Sequence, residues 1–275
     1  MNKQNEKTVQ KREANELPSA LEDISNLLKG KKPAVFLDYD GCLTPIVKDP
    51  DKAFLAPEMR ETLQQLARVS FVAVVSGRDR ANVENFVQLD NLYFAGSHGF
   101  DISGPNNMHT EPGGAKEALP ALEKADKELK DKLQDVEGAW VERKRYAIAV
   151  HYRNVADDDL VEKVKKVTAE VLQKHPELKE GLGKKIIELK PNLDWHKGRA
   201  VLWLMDELKL NQPEIVPLYI GDDITDEDAF ASLQGQGVGI LVGEHDDRTA
   251  ASYHLKDVEE VKKFLESLTH HLKNE

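Results

Sequence analysis

The sequence predicts an α/β protein: a doubly wound parallel sheet with a smaller α/β unit inserted into it. Three observations carry this reading. Short apolar runs alternate with helical stripes, the pattern of parallel strands buried on both faces. Several of these runs end in residues able to do chemistry, at the sheet edge where open α/β folds bind ligands. The alternation breaks over residues 108–191 and then resumes.

Met1 to Glu16 is polar and charged, and residues 1–17 are expected to be a flexible start. Residues 18–107 and 192–275 form the predicted core, with 108–191 as the inserted unit. Pro18 to Leu28 carries Leu21, Ile24, Leu27 and Leu28 at helical spacing and stops at Gly30. Ala34-Val35-Phe36-Leu37 reads as a buried strand. It runs into Asp38-Tyr39-Asp40-Gly41, two carboxylates two residues apart followed by a glycine suited to a tight reversal. Residues 44–56 read as a loop. Pro57 opens a helix through Met59, Leu63 and Leu66. Phe71 to Val75 is a second buried strand ending in Ser76-Gly77-Arg78, with a helical stretch to Val87. Leu92 to Ala95 is a third strand, ending in Gly96-Ser97-His98-Gly99.

Residues 103–114 are rich in Gly, Pro and Asn and read as a linker or long turn. A charged helix follows from about Lys116 to Leu133. Ala139 to Glu142 and Tyr146 to His151 read as an antiparallel pair. Asp158 to Leu172 is helical, and Lys185 to Leu189 is a further strand. The core pattern returns at Lys197-Gly198 with a helix through Val201, Leu204 and Met205. Ile215 to Ile220 is a strand ending in Gly221-Asp222-Asp223, Gly237 to Val242 is another, and Val258 to Leu272 is a closing amphipathic helix.

Composition narrows the function classes. With 275 residues and 40% hydrophobic content the chain can bury a sizeable core. A net charge of −11, with no basic stripe to offset it, disfavours a polyanion, so no nucleic-acid partner is expected. The single cysteine, Cys42, leaves no internal disulfide. No apolar segment reads as a secretory signal or a membrane span, so a cytoplasmic protein with no membrane partner is expected.

Asp38 and Asp40, Ser76, Lys197, and Asp222 with Asp223 all fall at strand ends or helix starts. Read singly, each has an ordinary structural explanation. Ser76 suits a helix N-cap, Lys197 a solvated surface, and Thr225 with Asp228 a capping box. In a parallel sheet, however, strand C-termini share one edge, so these groups can converge. Carboxylates suit Mg²⁺, which takes carboxylates together with substrate phosphate oxygens. A lysine and a serine at the same edge suit a phosphoryl group.

In order, Asp38-Tyr39-Asp40-Gly41, Ser76-Gly77-Arg78, Lys197-Gly198 and Gly221-Asp222-Asp223 resemble the four motifs of haloacid dehalogenase-like phosphatases. The longer stretches resemble the trehalose-6-phosphate phosphatase family. They are Asp38 to Pro45, Gly96-Ser97-His98-Gly99, Glu188-Leu189-Lys190-Pro191, Trp195-His196-Lys197-Gly198 and Gly221 to Glu227. The likeness covers about residues 30–270. Two positions depart from the family: Cys42 stands where Thr is usual, and His196 where an acidic or small residue is usual. Cys42 removes a hydroxyl donor and brings an oxidisable thiol.

The resemblance implies a Rossmann-like core, a cap made of residues 108–191, and hydrolysis of trehalose 6-phosphate. Asp38 would be the nucleophile and Asp40 the general acid and base. Mg²⁺ would be held by Asp38, the Asp40 carbonyl and Asp222. Ser76 and Lys197 would hold the phosphoryl oxygens, with Asp223 and Asp226 orienting the ligands behind them. Glu142, Lys144, Glu188, His98 and Arg153 are the candidate sugar-binding groups, each of which also reads as a solvated position. Other sugar phosphates, such as sucrose phosphate, a glucosylglycerol-type phosphate or a hexose phosphate, share the same catalytic motifs. A non-catalytic partner of a trehalose-phosphate synthase is the alternative from another class. A monomer acting on a small sugar phosphate, with that synthase as the one protein partner, is the expectation.

Overall fold

The structure is a computed structural model and describes residues 9–22, 24–183, 185–245 and 248–274. Along the chain run β1 (Arg12–Glu13), α1 (Ile24–Leu28), β2 (Lys32–Leu37), α2 (Pro57–Leu66), β3 (Phe71–Val75), α3 (Arg80–Val87), β4 (Tyr93–Gly96), β5 (Asp101–Gly104) and β6 (Met108–Thr110). There follow α4 (Leu119–Leu133), β7 (Trp140–Lys144), β8 (Ala147–His151), α5 (Asp158–Gln173), β9 (Leu178–Gly183) and β10 (Ile186–Pro191). The chain closes with α6 (Lys197–Glu207), β11 (Ile215–Gly221), α7 (Glu227–Leu233), β12 (Val238–Val242), β13 (Arg248–Thr249), β14 (Tyr253–Leu255) and α8 (Val258–Asn274). Contacts divide it into two compact units, Glu111–Asp194 and the remainder on either side.

The larger unit holds an eight-stranded sheet in the order β14-β12-β11-β2-β3-β4-β5-β6. It is parallel from β14 to β4 and antiparallel at β5 and β6. Strand β2 shows why both faces are covered. Val35 and Leu37 pack into one apolar cluster with Leu63, Phe264 and Leu268 of α2 and α8. Ala34 and Phe36 point into another with Leu204, Phe230 and Leu233 of α6 and α7. Leu37 lies opposite Ile220 of β11 and Val74 of β3, so the three strands end together.

The linker expected over 103–114 is instead largely a hairpin. Asn106 and Asn107 have φ of 60° and 58°, the left-handed pair that joins β5 to β6 in a tight turn. The flexible start expected over 1–17 is also corrected where it is described. β1 pairs with β13, and Ala14 and Leu17 are buried; residues 1–8 lie outside the described residues. The helix expected from Pro18 narrows to Ile24–Leu28.

The smaller unit is an antiparallel sheet in the order β7-β8-β10-β9, with α4 and α5 against one face. Ile148, Val150, Ile187 and Leu189 meet Leu122, Leu129, Val164 and Val171 there. Alternation sends Glu142, Lys144, His151, Glu188 and Lys190 to the opposite face.

Candidate active site

Asp38 is the first residue past β2, and its N–H donates to Ile220 O at 2.8 Å. It is only 5% exposed. One carboxylate oxygen accepts from Tyr39 N (2.7 Å) and the other from Lys197 Nζ (2.9 Å). Lys197 opens α6, is itself buried, and also donates to Asp226 at 2.8 Å. Burial works against its charge, but Asp226 and Asp38 outweigh that and hold the ammonium well above the ordinary lysine range. The surface-lysine reading of Lys197 therefore fails.

Asp226 is the fully buried hub of this edge. Its Oδ1 accepts from Lys197 and from the Tyr219 hydroxyl (2.6 Å), and its Oδ2 from the N–H groups of Asp222 and Asp223, both 3.0 Å. All its acceptor directions are thus used inside the protein, which fixes the lysine and the loop after β11 together. Asp223 accepts from Thr225 N and Oγ1. Burial opposes its charge, but Lys197, Thr225 and His98 keep its carboxyl below the usual range. Ser76 is 1% exposed and accepts from Arg78 N at 3.1 Å, so it braces the turn after β3. His98, with φ of 57°, lays its ring against Gly77.

The Asp40 carboxylate pairs with Arg78, whereas that of Asp38 pairs with Lys197. Both Asp40 oxygens are taken by Arg78, Nε to Oδ2 and Nη2 to Oδ1, each at 2.6 Å. Gly41, with φ of +76°, makes the reversal that follows, and its N–H donates to Thr44 O at 2.8 Å. A Cβ there would stand 2.1 Å from Asp222 Oδ2, so the glycine is what lets Asp222 approach. Cys42 is fully buried, with Sγ 4.0 Å from Asp222 Oδ1. Burial, then Asp222 and Asp38, push its thiol well above the ordinary range. A buried, protonated thiol is inert, which corrects the expectation of an oxidation-sensitive site.

Asp38, Asp222 and Asp226 place carboxylate oxygens within 4.8 Å of one another. Asp226 is saturated, whereas Asp38, with one hydrogen bond to each oxygen, and Asp222 keep lone pairs to spare. Asp222 accepts from no nitrogen or hydroxyl among the described residues, and burial with the Asp226 and Asp223 charges pushes it up to about 7. Three carboxylates meet one ammonium, and hard oxygen donors with that surplus of negative charge fit a divalent cation.

In the smaller unit, Glu142 accepts from His151 Nε2 at 2.9 Å, and Lys144 lies 3.4 Å from Glu188. The His151 hydrogen bond holds the Glu142 carboxyl below its usual range. Trp140 stacks on His151, centroids 3.9 Å apart. Glu142 and Glu188 both face Ala149, one strand to either side. Arg153 lies in the turn beyond β8 and is exposed. Among the sequence candidates, then, Asp38, Lys197, Asp222 and Asp226 come together, Asp40 joins Arg78, and Glu142, Lys144 and Glu188 share one sheet face. Sequence reasoning gave no task to Arg78, His151, Trp140 or Tyr219. The arginine fell within a quoted motif, which was its only signal.

The fold is one shared with haloacid dehalogenase-like hydrolases. A structure of such a hydrolase from Bacteroides thetaiotaomicron, 15% identical, superposes with a TM-score of 0.60 over 89% of this chain and 99% of its own, a likeness of fold. The trehalose-phosphatase profile matches residues 36–259, and the chain belongs to that family. A probable trehalose-phosphate phosphatase D of Arabidopsis thaliana is 43% identical over 91% of this chain and 72% of its own. The C-terminal domain of a trehalose-6-phosphate phosphatase from C. albicans is 27% identical, with a TM-score of 0.76 over 92% of this chain and 98% of that one.

Proposed function

We propose that this chain hydrolyses trehalose 6-phosphate to trehalose and phosphate through an aspartyl-phosphate on Asp38. The observation that carries the chemistry is the buried Asp38–Lys197–Asp226 chain at the end of β2. The substrate rests on the family and on the names its relatives bear.

Asp38, fixed by Tyr39 N and Lys197, would attack phosphorus in line. Asp40 would protonate the departing sugar oxygen and then take a proton from the water that hydrolyses the intermediate. Lys197 and Ser76 would hold the phosphoryl oxygens as charge grows on them. Asp223 and Asp226 would keep the lysine and the Asp222 loop in place. Mg²⁺, held by Asp38, the Asp40 carbonyl and Asp222, would offset charge on the phosphoryl group when bound. The smaller unit, Glu111–Asp194, is read as a cap whose Glu142, Lys144 and Glu188 bind sugar hydroxyls; His98 and Arg153 are the weaker sugar-binding candidates. No helix among the described residues is long and apolar enough to cross a membrane. A monomer supplied with substrate by a trehalose-phosphate synthase completes the reading.

The test is phosphate release across a panel of sugar phosphates, with and without Mg²⁺. Trehalose 6-phosphate should lead the panel, and Asp38→Asn should abolish turnover. A parent preference for sucrose phosphate, a glucosylglycerol-type phosphate or a hexose phosphate would overturn the substrate. Binding without turnover would point to a sensor.

A further inference from the structure

The mechanism above gives Arg78 no task, yet few side chains in the larger unit are held so firmly. Two of its nitrogens form a fork on the two oxygens of Asp40, each contact 2.6 Å. Its third nitrogen, Nη1, donates to Pro50 O at 2.8 Å and to Asn82 Oδ1 at 3.2 Å. The guanidinium also lies over the rings of Tyr39 and Phe86, at 5.6 and 5.5 Å. Tyr39 is anchored in turn by its hydroxyl to Ala53 O at 2.5 Å. The Arg78 side chain is 14% exposed, while the carboxylate it grips is 38% exposed. The immobile partner is thus the arginine, and what it positions is the more open carboxylate. A mere tie between α3 and the loop at Pro50 would use Nη1 alone and leave the fork idle.

We infer that Arg78 is a positioning residue for proton transfer, aiming the Asp40 carboxyl in both halves of the reaction. The inference rests on the acid–base role given to Asp40 above. In the first half, the Asp40 O–H bond breaks as its proton passes to the ester oxygen. The phosphorus–ester bond breaks, and the Asp38–phosphorus bond forms. In the second half, water gives a proton to Asp40, its oxygen bonds to phosphorus, and the Asp38–phosphorus bond breaks. Asp40 ends as it began. Each transfer needs one oxygen of Asp40 free, so one arm of the fork opens and the other serves as the pivot. A lysine keeps the charge but cannot make two parallel bonds.

The experiment compares Arg78→Lys and Arg78→Ala with the parent on trehalose 6-phosphate and on 4-nitrophenyl phosphate. Nitrophenolate leaves without a proton, whereas the sugar alkoxide needs one. For both variants kcat/KM on the sugar phosphate should fall about ten- to hundredfold, the scale of a misplaced catalytic group. On the aryl ester kcat/KM should stay within about threefold, because it reports only the steps up to the phosphorylated aspartate and that leaving group needs no acid. The aryl ester should then give a pre-steady-state burst, since hydrolysis of the intermediate still needs Asp40. Guanidinium ion should partly restore Arg78→Ala on the sugar phosphate. The ratio of the two kcat/KM values does not depend on the folded fraction, so partial misfolding cannot imitate the result. Equal losses on both substrates, or no loss on either, would overturn the inference. If the parent ignores trehalose 6-phosphate, the substrate assignment fails while the arginine is still tested on whichever sugar phosphate the parent hydrolyses.

Discussion

Asp223 and Asp226 stand three residues apart and do different work. Asp226 is fully buried and meets an ammonium, a phenol and two backbone N–H groups. Asp226→Ala would strand a buried Lys197 beside Asp38 and should cost about 3–5 kcal/mol of stability. Asp223→Ala removes the local bonds from Thr225 and should cost about 1 kcal/mol. Urea unfolding of the two variants checks the contrast, and equal costs would contradict it. Gly41→Ala is the complementary test. It puts a methyl into the Asp222 carboxylate at a left-handed φ, so the concentration of Mg²⁺ giving half-maximal activity should rise about tenfold or more. An unchanged Mg²⁺ titration would show that Asp222 can move without consequence.

Among the elements, the β7–β8 turn is tied down by one carboxylate. Glu111 meets Lys116, Arg145 and the Tyr146 hydroxyl, and its side chain is 3% exposed. Burial opposes its charge, but the bonds from Lys116, Tyr146 and Arg145 prevail and take it from 4.5 to about 2. The folded state therefore binds its proton less readily than the unfolded one. The resulting stability is fully present above about pH 4.5 and is lost as pH falls toward 2. Because Lys116 and Arg145 are 63% and 47% exposed, solvent screening reduces it to about 1–2 kcal/mol. Glu111→Gln should be less stable at neutral pH and flatter from pH 6 to 3 in denaturant titrations. A parallel pair of curves would exclude this role. The elements legible in the sequence are those whose periodicity and burial agree, such as β2, β3, α5 and α8. The β5–β6 hairpin was hidden because its turn residues dominate a short window. β9 was hidden because Lys179-Glu180-Gly181 is a polar edge run with no apolar alternation to read. In the site, strand ends pointed to Asp38 and Asp222 and a helix start to Lys197. The grip of Arg78 on Asp40 spans 38 residues and that of Asp226 on Lys197 spans 29, and no local pattern reports such pairings.

Across the whole molecule, the proposed function gives phosphoryl transfer to the larger unit and most of sugar recognition to the smaller one. Glu142→Ala or Lys144→Ala should lose about one to two orders of magnitude in kcat/KM on trehalose 6-phosphate, the scale of a charged hydrogen bond. Both should hydrolyse 4-nitrophenyl phosphate nearly as the parent does. Lys197→Ala should damage both substrates alike. Equal losses on both substrates for the Glu142 and Lys144 variants would move those residues out of recognition. Chelation should abolish activity and Mg²⁺ restore it, with Ca²⁺ inhibiting because its larger, looser shell displaces the nucleophile. Full activity with the metal shown to be absent would remove Asp222 from catalysis.

Cys42 makes the chain its own stopwatch. The sequence holds a single thiol, and it sits sealed beneath the Asp222 loop. A disulfide reagent reaches it when that loop and the end of β2 part, so the labelling rate follows the population of the opened state. Whatever steadies the loop should slow the labelling, and Mg²⁺ or a phosphate analogue can be ranked by how far each does so, with no turnover and no added dye.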